Sequence, residues 1–123
     1  MRAALILVLA ASSLAACGGA KAGGSCSQTG FLCQDKSNAL ECLGGTWTAL
    51  PCRGTGGCAV ANSQVTCDMS ADMAGDACAS SAEGLGLCTV DGHATLECRG
   101  GTLQQTNTCT SCAITNGQVV CQQ

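Results

Sequence analysis

Thirteen cysteines in a chain of 123 residues are the side chains with the most chemistry to offer. Twelve fall into two sets of six: Cys26, Cys33, Cys42, Cys52, Cys58 and Cys67, then Cys78, Cys88, Cys98, Cys109, Cys112 and Cys121. A thiolate can bind a metal, attack a substrate or join a second sulfur, and spacing separates these roles. Zinc favours short paired spacings such as C-x2-C used twice. The chain offers that spacing only at Cys109-Thr-Ser-Cys112, and the counterparts Cys52 and Cys58 lie six apart. A redox thiolate needs a helix start or a cationic neighbour to lower its pKa, and no helix pattern surrounds Cys109. The expectation is therefore six disulfides, with no metal and no cofactor. Other reactive groups are sparse. His93 is the single histidine and directly follows the turn pair Asp91-Gly92, where a solvated turn residue is expected rather than a general base. Among the carboxylates Asp35, Glu41, Asp91 and Glu97, only Glu41 and Glu97 recur at equivalent places, one residue before the third cysteine of each set. Units of about forty residues have little room for the cleft that paired carboxylates need, so a solvated strand face is expected for both and no enzyme is expected.

The thirteenth cysteine, Cys17, closes the tetrapeptide Leu-Ala-Ala-Cys at 14–17. Before it runs an apolar leader, MRAALILVLAASSLAA, with one basic residue near its start. The run falls short of the roughly 20 apolar residues of a membrane span and reads as a signal peptide. Leu, two small residues and Cys resemble the bacterial lipobox. That resemblance implies cleavage before Cys17 and acylation of its sulfur and new amino terminus. A diacyl or triacyl anchor, at ~0.8 kcal/mol per buried methylene, holds a protein durably on a bilayer. No Asp follows Cys17 to resemble an inner-membrane retention signal, so a lipid-anchored envelope protein is expected, on the outer membrane if the host has two.

Removal of residues 1–16 leaves 107 residues whose only aromatics are Phe31 and Trp47. So little apolar bulk among so many glycines cannot supply a core by burial alone, and exported chains meet an oxidising space where sulfur bridges replace it. The whole chain carries a formal charge of −3, and loss of Arg2 with the leader makes it −4. An acidic chain without a basic cluster excludes nucleic acid as a partner. The partners expected are a membrane, through the N-terminal lipid, and a glycan or an envelope protein, with oligomeric state open.

The elements that must position the cysteines come from a duplication. "LECLGGT" at 40–46 returns as "LECRGGT" at 96–102, and "CAVANSQVTC" at 58–67 as "CAITNGQVVC" at 112–121. The second copy has three extra residues between its first two cysteines and three fewer between its fourth and fifth. This divides the chain into a signal peptide (1–16), an acylated cysteine with a flexible glycine-rich tether (17–25), a first module (26–67), an acidic linker (68–77) and a second module (78–123). The tether has an expected span of about 16 Å, and the short linker keeps the modules close without requiring rigid packing. Asp91-Gly92 and Asn116-Gly117 are two-residue turn pairs, and Gly44-Gly45 precedes the strand pattern "TWTALP". The fold class expected is small disulfide-rich β, two tandem hairpin-based modules rich in loops.

One bridge per module follows from hairpin geometry. With Asn62-Ser63 as a two-residue turn, counting outward sets Cys58 opposite Cys67 at a non-hydrogen-bonded pair. There Cα atoms are ~4.5 Å apart, within disulfide reach. The same count sets Cys112 opposite Cys121. The expectation is Cys58–Cys67 and Cys112–Cys121, with three pairings open to the remaining four cysteines of each module.

The first module, C-x6-C-x8-C-x2-G-x-W-x4-C-x5-C-x8-C, resembles the small carbohydrate-binding modules attached to fungal chitinases. It is also similar to cysteine-rich repeats of bacterial surface lipoproteins. The residues that carry the likeness are the six cysteines, "GGTW" at 44–47 and "GTGGC" at 54–58. Sugar-binding modules stack pyranose rings on aromatic faces, so the resemblance implies Trp47 as a ligand-binding residue. The second module has Leu103 there and no replacement aromatic. The competing expectation is that Trp47 fills a tiny core.

Overall fold

A computed structural model describes residues 19–123. The lipobox and Cys17 lie outside the described residues. Among the described residues the architecture is all β apart from a short 3₁₀ turn: β1 (Phe31–Cys33), β2 (Asn38–Leu43), β3 (Thr46–Pro51), β4 (Cys58–Ala61) and β5 (Gln64–Cys67) form the first module. The 3₁₀ turn Ser80–Ala82, β6 (Gly86–Cys88), β7 (Ala94–Arg99), β8 (Thr102–Thr108), β9 (Ser111–Thr115) and β10 (Gln118–Gln122) form the second. Each module is a three-stranded antiparallel sheet followed by a separate hairpin. No described helix is long and apolar enough to cross a membrane.

Positive-φ turns set the hairpins. Asn62 and Ser63 (φ 52° and 62°) and Asn116 and Gly117 (φ 52° and 74°) occupy the left-handed region that a two-residue turn of this hand requires. The resulting register sets Cys58 opposite Cys67 and Cys112 opposite Cys121. Gly44-Gly45 and Gly100-Gly101 make the same kind of turn between β2 and β3 and between β7 and β8. Asp91-Gly92 does not. Residues between β6 and β7 form a wider loop, closed by the Thr89 amide on the Ala94 carbonyl at 2.9 Å and by Asp91 accepting from the Thr89 hydroxyl and the His93 amide.

Six disulfides use all twelve module cysteines, and their pairing corrects the bridges expected from the hairpins. The bonds are Cys26–Cys42, Cys33–Cys58 and Cys52–Cys67 in the first module, and Cys78–Cys98, Cys88–Cys112 and Cys109–Cys121 in the second. Cys58 and Cys67, like Cys112 and Cys121, stand opposite one another but are not bonded. The reason is tertiary. A cross-strand pair sends both side chains to one face, and in each hairpin that face meets the sheet, where Cys33 and Cys52, or Cys88 and Cys109, await them.

Each sheet therefore lies between two covers. Register puts Ala39, Glu41, Phe31 and Leu50 on one face and Leu40, Cys42 and Trp47 on the other. The first face receives the hairpin: Ala39, Leu50 and Cys52 are buried against Val65, Cys58 and Cys67. The second receives the N-terminal segment bound through Cys26–Cys42. In the second module that face is the core, with Leu96, Cys98, Leu103 and Cys78 all at 3% exposure or less.

Both segments expected as spacers are structured. The Gly23 amide donates to the Trp47 carbonyl (2.8 Å) and the Trp47 amide to the Gly24 carbonyl (2.8 Å), so the last residues of the expected tether edge β3. Gly75, Asp76 and Leu103 repeat the arrangement in the second module, at 2.8 Å for both bonds. Each repeat thus begins three residues before its first cysteine, and the linker ends at about residue 74.

Candidate functional site

Among the described residues, three places combine exposed or charged side chains with a defined shape. The first is beside Trp47. This side chain is half-buried and borders an open groove of about 600 Å³ lined by Ser25, Ser27, Gln28 and Thr29. Trp47 leads β3 out of the Gly44-Gly45 turn, opposite Cys42, so the Cys26–Cys42 bridge fixes both the indole and the hydroxyl-bearing loop next to it. Its counterpart Leu103 is 1% exposed. One position thus does different work in the two modules: filler in the second, partly solvated wall in the first. Phe31, 43% exposed, shares its face with Glu41 across the sheet and borders the same groove as Trp47.

The second place is the junction between the modules. Glu41 is 4% exposed, which corrects the expectation of a solvated strand face. Its carboxylate accepts the Ser80 amide at 3.0 Å and a short bond from the Ser80 hydroxyl. Glu97 holds the equivalent register position but pairs with Arg99 on its own strand at 3.1 Å, which keeps its carboxyl below the usual range. Nearby, the Arg53 guanidinium grips Asp76 through two bonds of 2.7 and 2.9 Å, and this lowers the Asp76 pKa. Asp72, 1% exposed, accepts the Arg53 amide at 3.0 Å through Oδ1, while Oδ2 has no partner. Burial pushes its pKa up to about 6.

The third place is the glycine loop 54–57. Asp68 accepts the Gly56 amide at 2.9 Å. A Cβ at Gly54 would overlap the Asp68 carboxylate, and one at Gly57 the Lys36 carbonyl oxygen. The "GTGG" run is there because two neighbours approach the backbone too closely for any side chain. The second module has only Thr110-Ser111 between the corresponding cysteines.

His93 is exposed, with Nδ1 3.1 Å from the Thr110 carbonyl. Asp35 is exposed and caps its own loop through the Ser37 amide (2.8 Å) and the Asn38 side chain, contacts that lower its pKa. His93 lies beside Asp91, which accepts its amide, and Asp35 bonds within its own loop. Among the described residues no three His, Cys, Asp or Glu side chains are grouped to hold a metal ion. Sequence reasoning missed Asp72 and the burial of Glu41. A signal for the latter was present: Arg99 stands two residues after Glu97 and supplies a counter-ion, whereas the same place after Glu41 is Leu43.

Comparison with protein-family models, with curated proteins and with solved structures finds no match.

Proposed function

We propose that this protein is anchored to the cell envelope by lipid on Cys17 and presents its two stapled modules as a non-catalytic binding or structural surface. The observation that carries the reading is sulfur bookkeeping. Twelve cysteines find partners within the modules, and the one left over stands in the Leu-Ala-Ala-Cys setting where a lipobox would put an acyl acceptor. An unpaired thiol in an oxidising compartment would otherwise exchange with forming bridges. The intact mass of membrane-extracted protein tests this: it should equal residues 17–123 plus two or three acyl chains and glycerol, less twelve hydrogens. Cys17→Ser should move the protein from the membrane to the soluble fraction. An unmodified Cys17 in membrane-bound protein overturns the reading.

A second reading, favoured by the groove beside Trp47, is that the surface binds glycan. A partly solvated indole beside Ser25, Ser27, Gln28 and Thr29 offers a stacking face and hydroxyl partners, the pairing neutral sugars use. Retention on an insoluble polysaccharide, lost in Trp47→Ala while all six disulfides persist, supports it. No retention on chitin, cellulose or peptidoglycan removes it.

A further inference from the structure

The two hairpins carry a conflict between local and global pairing. Cys58 faces Cys67 and Cys112 faces Cys121 in register, each nine positions apart in the chain. Their actual partners are all more distant: 25 and 15 positions for Cys33–Cys58 and Cys52–Cys67, and 24 and 12 for Cys88–Cys112 and Cys109–Cys121. Loop closure scales as about the three-halves power of length, so in the unfolded chain the local bridge closes about fivefold more readily than Cys33–Cys58. The hairpins add to this preference. Their turns are built from residues suited to positive φ, and such hairpins close in about 1–10 μs, long before an oxidant acts. A non-hydrogen-bonded pair holds its sulfurs within bonding reach.

We propose that each module first forms a local isomer, with Cys58–Cys67 and Cys33–Cys52 in the first and Cys112–Cys121 and Cys88–Cys109 in the second, and that a thiol catalyst of the dithiol-isomerase class converts it to the final pairing. Both isomers join the same four cysteines with the same number of bonds, so the conversion needs no oxidant. An attacking thiolate opens Cys58–Cys67 at the Cys67 sulfur, forming a mixed disulfide there and releasing the Cys58 thiolate. That thiolate attacks Cys33, forms Cys33–Cys58 and releases Cys52. The Cys52 thiolate then displaces the catalyst from Cys67, forming Cys52–Cys67 and returning the catalyst as it entered. Packing drives the exchange. The final bridges fasten the hairpin to the sheet and leave Cys52 and Cys109 at 2% and 5% exposure, whereas the local ones leave the hairpin joined to the sheet only through its backbone.

The test uses the full chain with Cys17→Ser, reduced and unfolded, then diluted into mild detergent with oxidised glutathione alone. Samples are acid-quenched and their bridges mapped by mass spectrometry. Peptides joined 58–67 and 112–121 should exceed 33–58 and 88–112 by about fivefold or more at early times. They should persist until a bacterial dithiol isomerase or reduced glutathione is added. Native bridges as abundant as the local ones in the earliest samples, or native pairing reached equally fast without any thiol, overturn the proposal. A second variant, Cys33→Ser with Cys52→Ser, should join Cys58 to Cys67 within the hairpin. Two free thiols at those positions in the oxidised protein also overturn it.

Discussion

Asp72 is buried between the modules with one carboxylate oxygen on the Arg53 amide and the other unpartnered, so its pH behaviour runs opposite to that of its neighbours. Its folded pKa of about 6 lies above the ordinary aspartate value of 3.8. The folded state therefore takes up the proton first, and stability rises as pH falls from above 6 towards 4, by at most about 3 kcal/mol. Asp76, lowered by Arg53, works the other way, and its contribution is lost only below about pH 4. Urea unfolding at pH 5 and pH 7.5 should show the higher midpoint at pH 5. Asp72→Asn should raise the pH 7.5 midpoint and remove most of the difference, and a wild-type midpoint flat between these pH values would contradict the assignment. Gly57 makes a sharper point about backbone. At φ 56° and against the Lys36 carbonyl, Gly57→Ala should destabilise by about 2 kcal/mol or more. Gly117→Ala, with open space around its Cβ position, should lose only about 1 kcal/mol from its positive φ. Denaturant titration of the two variants checks the contrast.

At the scale of elements, the same strand is used in two ways. In β2, Ala39 and Glu41 face the second module: Ala39 packs in a cluster that includes Ala77 and Ala79, and Glu41 takes Ser80. In β7, the equivalent Thr95 and Glu97 are satisfied within their own module, Thr95 by the Thr106 hydroxyl at 2.7 Å and Glu97 by Arg99. The face that receives a neighbour is apolar around one acceptor, and the equivalent face of the second module is polar and self-paired. The docking piece is the 3₁₀ turn Ser80–Ala82, which lies in the loop that holds the three extra residues of the second copy. Glu41→Ala should therefore cost about 1–3 kcal/mol by leaving the Ser80 amide and hydroxyl unpaired in a partly buried site. Glu97→Ala should leave stability essentially unchanged. Equal effects of the two substitutions in thermal or urea unfolding would refute this division of roles.

Across the whole molecule, covalent bonds do the work that hydrophobic area cannot. The buried set is short, and its largest members are Leu40, Leu96 and Leu103. Losing one native bridge from a domain of this size costs about 2–5 kcal/mol, comparable with its total stability. Reduction with excess dithiol at 25 °C should therefore abolish the dispersed amide NMR spectrum of both modules, while the oxidised protein retains it on heating well past ordinary mesophilic midpoints. A reduced chain that kept its dispersion would show that the strands hold themselves. The junction adds a link between the modules. Arg53, Asp72, Asp76, Glu41 and Ser80 join segments that the sequence reads as separate, so the modules should unfold together in one transition. Two resolved transitions would mean that these contacts carry little coupling.

Local rules made much of this legible from the residues alone. Duplicated text marked two modules, Asn-Ser, Asn-Gly and Gly-Gly pairs marked hairpins because only certain residues accept positive φ, and the cysteine count in a glycine-rich, aromatic-poor chain called for sulfur bridges. Sequence also set which cysteines would stand opposite one another, since register follows from the turn. It did not determine which of them bond. That choice belongs to the tertiary structure, because a hairpin's two sulfurs share a face and what lies under that face comes from strands distant in the chain. The burial of Glu41 and Asp72 was decided at the same level. A carboxylate's environment depends on which surface the neighbouring module covers, and no spacing within a strand carries that information.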